Sequence, residues 1–142
     1  MIARVFLIFS LSVLSLSAAK IHWSHDFEEA KAKAHKEHKI LYVLITSETC
    51  KWCRKIESTT LKRPAVIRAI KKRYVAVALT RDKDSYPKCL KAKMVPMSYF
   101  INPEDQRVIY SVPGFWVEED YLSILSDVER KYKKQQRKNY SK

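Results

Sequence analysis

The sequence holds three cysteines, and two of them, Cys50 and Cys53, lie in the run Thr49-Cys50-Lys51-Trp52-Cys53-Arg54. A Cys-x-x-Cys spacing serves two chemistries, metal binding and thiol–disulfide exchange. A structural zinc site wants a second ligand pair. Here it would have to come from Cys89 and from His22, His25, His35 and His38, which all fall in or near one predicted helix. Exchange needs a thiolate nucleophile and a second thiol within reach of it. The residues around the pair favour exchange. An apolar run of strand formers, residues 40–45, precedes the pair, and a helix is predicted from the first cysteine onward. A helix N-terminus presents unpaired N–H groups and partial positive charge, both of which favour a thiolate at Cys50. Lys51, Arg54 and Lys55 add positive charge. Cys53 follows one helical turn later on the same face, placed to attack a mixed disulfide at Cys50. The spacing by itself is weak, and the strand before it and the helix after it make it stronger.

The elements that must position this pair follow from periodicity and turn chemistry. Residues 23–39 read as a helix, with Asp26 and Glu29 as a capping box and Phe27, Ala30 and Ala34 on one face. The run at 40–45 suits a strand buried on both faces. The helix that opens at Cys50 continues through Arg54, Ile56 and Leu61, and Pro64 restarts it over 65–72. Residues 74–79 form a second buried-type strand. Residues 81–94 are polar, with a short helix predicted from Ser85 or Tyr86 to Ala92. Strands at 97–101 and 107–112 flank the turn residues Asn102-Pro103-Glu104-Asp105, which predicts a hairpin. The last predicted helix, 118–132, opens on Glu118, Glu119 and Asp120 and ends basic, matching the helix dipole. The order implies an α/β fold around a four-stranded mixed sheet flanked by helices, with its first two strands parallel.

Length and charge restrict the remaining choices. The 142 residues make one domain, and the single glycine, Gly114, leaves no Gly-rich phosphate loop. Residues 1–19 have the layout of a secretory leader: one early positive charge at Arg4, an apolar run from 5 to 16, and small residues Ser17, Ala18 and Ala19. Cleavage there would leave a domain over 20–132 and a basic tail over 133–142. An uncleaved anchor is the alternative, although a span needs about 20 apolar residues. Export implies a periplasmic or secreted protein in a disulfide-permissive compartment. The odd cysteine count fits redox chemistry better than stapling. The formal net charge is +13. Much of it crowds the C-terminus (Arg130, Lys131, Lys133, Lys134, Arg137, Lys138 and Lys142). That cluster reads as a solvated helix end with a frayed tail, or as weak attraction to anionic headgroups or an acidic partner. Nucleic acid is not expected as a partner of an exported chain.

Three stretches resemble the thioredoxin superfamily, and within it the exported thioredoxin-like proteins with a Cys-x-Trp-Cys site, related to the reducing domain of disulfide interchange proteins. They are Trp23 with Phe27-Glu28-Glu29-Ala30 and Lys39-Ile40-Leu41-Tyr42-Val43; Cys50-Lys51-Trp52-Cys53-Arg54-Lys55-Ile56-Glu57; and Val95-Pro96-Met97-Ser98-Tyr99-Phe100-Ile101. The resemblance implies a thioredoxin fold, a redox-active Cys50–Cys53 disulfide, and a cis-proline, Pro96, packed beside it. The alternative for Pro96 is an ordinary trans-proline opening a strand. With Pro96 cis, as the resemblance implies, the backbone of Val95 would pair with an extended substrate peptide. Trp52 is either a contact for partner proteins or a shield over Cys53.

Two departures matter. The position that holds a buried acid in many thioredoxins, six before the first cysteine, is Leu44. Glu57, one turn past Cys53, is a substitute proton acceptor working through water, or a surface glutamate paired with a lysine; Glu48 is a weaker candidate. The second departure is Lys51-Trp52 between the cysteines. It offers no histidine to stabilise the thiolate and so disfavours a strong oxidant. Cys89 reads as a small core residue, with a regulatory or intermolecular thiol as the alternative. The leading function is thiol–disulfide exchange on exported proteins, reducing or isomerising, fed by a membrane electron donor and needing no cofactor. The alternatives are a non-catalytic binding module using the Trp52 and Pro96 surface, and a cysteine-based metal-binding protein.

Overall fold

A computed structural model describes residues 19–140 of the chain; the leader-type stretch lies almost wholly outside them. The fold grows from two strands that are apolar without alternation. β2 (Ile40–Thr46) and β3 (Tyr74–Thr80) pair in parallel with Leu44 opposite Ala78. Both faces of β2 are covered: Ile40, Tyr42 and Leu44 enter one core cluster, and Leu41, Val43 and Ile45 the other. β4 (Met97–Ile101) runs antiparallel to β2, and β5 (Val108–Pro113) antiparallel to β4.

The sheet has five strands in the order β1-β3-β2-β4-β5, one more than predicted. The extra strand is β1 (Trp23–Ser24), which pairs with β3 at Ala76 and Val77. These residues were expected in the first helix. That helix, α1 (Phe27–Glu37), begins later because Asp26 caps it, its carboxylate accepting from the Glu29 N–H at 2.8 Å. The chain before a capping residue is extended, so Trp23 and Ser24 are free to add to the sheet edge.

α2 (Lys51–Ser58) starts at the cysteine motif as predicted and closes at Thr59; a 3-10 turn (Thr60–Lys62) follows, and α3 (Pro64–Arg73) opens on its proline. α2, α3 and the last helix, α4 (Glu118–Tyr140), contribute to one core cluster; α1 and residues 81–95 contribute to the other.

Two expectations fail outside the sheet. No helix forms between Ser85 and Ala92; these residues make turns. Pro87 lacks an N–H, and the segment is held from a distance instead. The Arg81 guanidinium donates to the carbonyls of Ala92 and Lys93, and the Tyr99 hydroxyl donates to the carbonyl of Lys91. Leu90 and Ala92 are buried, whereas Cys89, expected in the core, is exposed. α4 runs on to Tyr140, past the predicted end at Tyr132, so residues 133–140 are helical rather than a frayed tail. The side chain of buried Asn102 donates to Gln135 Oε1 at 3.1 Å and ties this extension to the hairpin.

Candidate functional site

Cys50 ends the loop after β2 and serves as the N-cap of α2. Its sulfur accepts the Cys53 N–H at 3.0 Å, and its carbonyl accepts the Arg54 N–H at 3.2 Å. The two cysteines form a disulfide with S–S 2.16 Å and Cα–Cα 5.2 Å. They are not equally accessible. Cys50 is half-buried and Cys53 is 2% exposed, so an incoming sulfur meets Cys50 first. When the disulfide is reduced, the Cys53 N–H faces a sulfur that can carry negative charge.

Pro96 reaches the same end of the sheet by register. Met97 pairs with Ile45, so Pro96 stands just beyond the paired residues, beside Thr46 and the loop that carries Cys50. The Val95–Pro96 peptide bond is cis, as the resemblance implied, and Pro96 is buried. Its carbonyl accepts the Gly114 N–H at 2.7 Å. Gly114 has φ +87, and a Cβ there would meet nothing within 4 Å, so it is the backbone angle rather than space that favours glycine. Val95 is half-buried, and its backbone makes no hydrogen bond among the described residues.

Trp52 is 50% exposed. Its ring centroid lies 5.9 Å from that of Phe115, and the Lys55 ammonium stands 5.0 Å from the Trp52 centroid and 4.7 Å from that of Phe115. Lys55 follows Trp52 by three positions, a spacing that places both on one helix face. Phe115 comes from the β5–α4 connection, and nothing local in the sequence signals that it completes this aromatic–cation cluster. Thr60, buried after α2, donates its hydroxyl to the Trp116 carbonyl at 2.6 Å and fixes that connection further.

Leu44 is 1% exposed in the core, so β2 supplies no acid beneath the disulfide. Glu57 lines a groove of about 1120 Å³ with Ile21, Trp23, Leu61 and Arg54. Partial burial there raises its carboxyl above the ordinary range, against the weaker opposing charge of Lys62. It makes no ion pair among the described residues, contrary to the expectation of a lysine-paired surface glutamate. Glu48 is paired with Lys83 at 2.5 Å.

Two of the histidines, His22 and His25, line the groove that holds Glu57 and Arg54. His25 Nδ1 contacts the Ala78 carbonyl at 3.3 Å, and His35 and His38 both approach Glu104, at 3.6 and 2.9 Å. Among the described residues no group of three or more His, Cys, Asp or Glu is arranged to hold a metal, and no helix is long and apolar enough to cross a membrane.

Comparison with known proteins agrees with this architecture. Residues 27–129 match the family described as Thioredoxin-like domain. No curated protein matches the chain. A thioredoxin from Thermus thermophilus superposes with a TM-score of 0.70 at 21% identity, covering 80% of this chain and 90% of that one. A DsbH oxidoreductase superposes with 0.63 at 18% identity, covering 84% and 89%. The oxidised C-terminal domain of DsbD from Neisseria meningitidis gives 0.55 at 16%, covering 75% and 98%. At such identities the likeness establishes the fold, a thioredoxin fold. With the matched family spanning most of its length, the chain belongs to the thioredoxin-like domain family.

Proposed function

We propose that this protein is a thiol–disulfide oxidoreductase acting on exported proteins through Cys50 and Cys53, in the reducing or isomerising direction. The observation that carries the reading is the disulfide at the N-terminus of α2, with Cys50 the more accessible sulfur and Cys53 buried behind it. In the reduced protein the Cys50 thiolate attacks one sulfur of a substrate disulfide. A Cys50–substrate disulfide forms, and the other substrate sulfur leaves as a thiolate. Cys53 then loses its proton and attacks the Cys50 sulfur. This restores the Cys50–Cys53 disulfide and expels the second substrate thiolate, so two electrons pass to the substrate and no cofactor is required. Glu57, one turn beyond Cys53 and with its carboxyl raised above the ordinary range by partial burial, is the acceptor we assign to the Cys53 proton, through water.

The unpaired backbone of Val95 offers an extended peptide a strand-like partner beside Pro96, and half-exposed Trp52 offers it an apolar contact. The absence of histidine between the cysteines supports the reducing direction, with re-reduction by a dithiol of a membrane electron donor. Export rests on the leader-type pattern of residues 1–19 and gives a periplasmic or secreted protein. The basic end of α4 supports weak contact with anionic headgroups.

Insulin reduction with dithiothreitol tests the activity. Wild-type protein is expected to accelerate it, and Cys50→Ser to fall to background. Wild-type turnover no greater than that of Cys50→Ser would remove the reading. A Cys50–Cys53 potential below about −300 mV would then mark an inert structural disulfide and a binding module.

A further inference from the structure

We infer that the site selects acidic substrates: extended protein segments whose disulfide is flanked by aspartate or glutamate. The inference rests on the oxidoreductase reading and adds to it the chemical class of the substrate. It comes from how charges around the disulfide are matched. Glu57, one turn past Cys53, makes no ion pair among the described residues, but other carboxylates of this region are already engaged. Glu48 pairs with Lys83 at 2.5 Å, Asp82 with Arg81 at 3.4 Å and Glu118 with Arg63 at 2.5 Å; Asp84 accepts the Thr80 N–H at 2.5 Å.

The cations nearest the motif are not cancelled in this way. Lys51, next to Cys50, and Lys93, three residues before Pro96, are exposed and have no carboxylate partner among the described residues. The Lys55 ammonium rests on the rings of Trp52 and Phe115, which hold it without neutralising it. Arg54 donates to a backbone carbonyl, that of Glu48, at 3.4 Å. The side chains adjoining the disulfide motif therefore carry a net positive charge, with Lys51, Arg54, Lys55 and Lys93 set against Glu57.

Among these charges stand two exposed apolar side chains, Trp52 at 50% and Met94 at 61%, one on α2 and one on the approach to Pro96. A peptide with its main chain along Val95 would find apolar contacts at Trp52 and Met94 and counter-ions at Lys51 and Lys93. Such complementarity acts chiefly on the rate of encounter and on rejection of the wrong partner, and it fades with salt.

The test uses reduced protein and two synthetic peptides of equal length, each with one internal disulfide, flanked in one by glutamates and in the other by lysines. Single-turnover reduction is followed at about 20 mM and about 500 mM salt, where screening lengths differ several-fold. The acidic peptide is expected to react about tenfold or more faster at low salt. The ratio should shrink toward one at high salt, and also in Lys51→Gln/Lys93→Gln. That double variant separates selection from chemistry: a change in Cys50 reactivity alone moves both peptides and leaves their ratio intact. Equal rates for the two peptides, or a ratio insensitive to salt and to the double variant, would overturn the inference while leaving the oxidoreductase reading in place. Equal rates with equal inhibition by phosphatidylglycerol vesicles would assign the cations to a lipid surface and overturn it too. Reduction of neither peptide would overturn both the inference and the reading beneath it.

Discussion

Two regions converge on the disulfide, and they are built on opposite principles. On one side, the junction of β2 and α2 is made locally: Cys50 caps the helix it begins, and Cys53 and Lys55 follow at helical spacing. On the other side, the approach to Pro96 has almost no structure of its own. Arg81 holds the Ala92 and Lys93 carbonyls, Tyr99 holds that of Lys91, and Gly114 holds that of Pro96. The first side needs only a strand and a helix to exist. The second needs the whole sheet to be assembled. The proposed nucleophile is thus set by local chemistry, while the surface that would receive a substrate is set by distant residues.

Removing the side chain that holds two carbonyls of this approach should separate the two regions most. Arg81→Ala deletes the bonds to Ala92 and Lys93 and is expected to lower stability by about 1–3 kcal/mol in urea unfolding. Peptide reduction should slow several-fold, while alkylation of the reduced Cys50 thiol keeps its wild-type rate. A parallel loss of thiol reactivity would erase the distinction. Gly114→Ala should come next, at about 1–2 kcal/mol, because a side chain at φ +87 is strained wherever it points. The same urea midpoint measures it, and an unchanged midpoint would show that the Pro96 support does not depend on that angle.

A smaller effect tests what the two regions share. Behind the site, the Tyr121 hydroxyl donates to Tyr42 at 2.6 Å, and Ser98 stands within 3.3 Å of Tyr121, so β2, β4 and α4 meet in one buried hydroxyl cluster. Burial pushes the Tyr121 hydroxyl up to about 12 and that of Tyr42 well above its ordinary value. An acid whose value is raised by folding is held protonated by the fold. The cluster's contribution is therefore complete below about pH 10, the unfolded value, and lost as pH rises toward 12. Tyr121→Phe should cost about 1 kcal/mol at pH 7 and flatten the alkaline fall in stability. An equally steep fall in the variant would place the alkaline sensitivity elsewhere.

What could be read from the sequence follows the same division. The unbroken apolar runs gave β2 and β3, the turn residues gave the hairpin, and the cysteine spacing after a strand gave the start of α2, because each depends on neighbours in the chain. β1 did not appear, since two residues at Trp23 and Ser24 become a strand only when β3 is there to pair with them. The expected helix at 85–92 gave way to carbonyl bonds from Arg81 and Tyr99. Cys89 turned outward while Leu90 took the buried position. The C-terminal extension of α4 is tied down by a bond from Asn102 on the hairpin. The pairing of Trp52 and Lys55 was visible as spacing, whereas Phe115 became part of that cluster only in three dimensions.

The account turns on Cys50 being an activated thiol, and its titration tests this most directly. In Cys53→Ser, the only change at the pair is loss of the resolving sulfur, and the thiolate of Cys50 can be followed by iodoacetamide reactivity against pH, with Cys89→Ser included to remove the exposed thiol. The account predicts half-ionisation below about pH 7.5, well under the ordinary thiol near 8.5. Half-ionisation at about 8.5 or higher would contradict it.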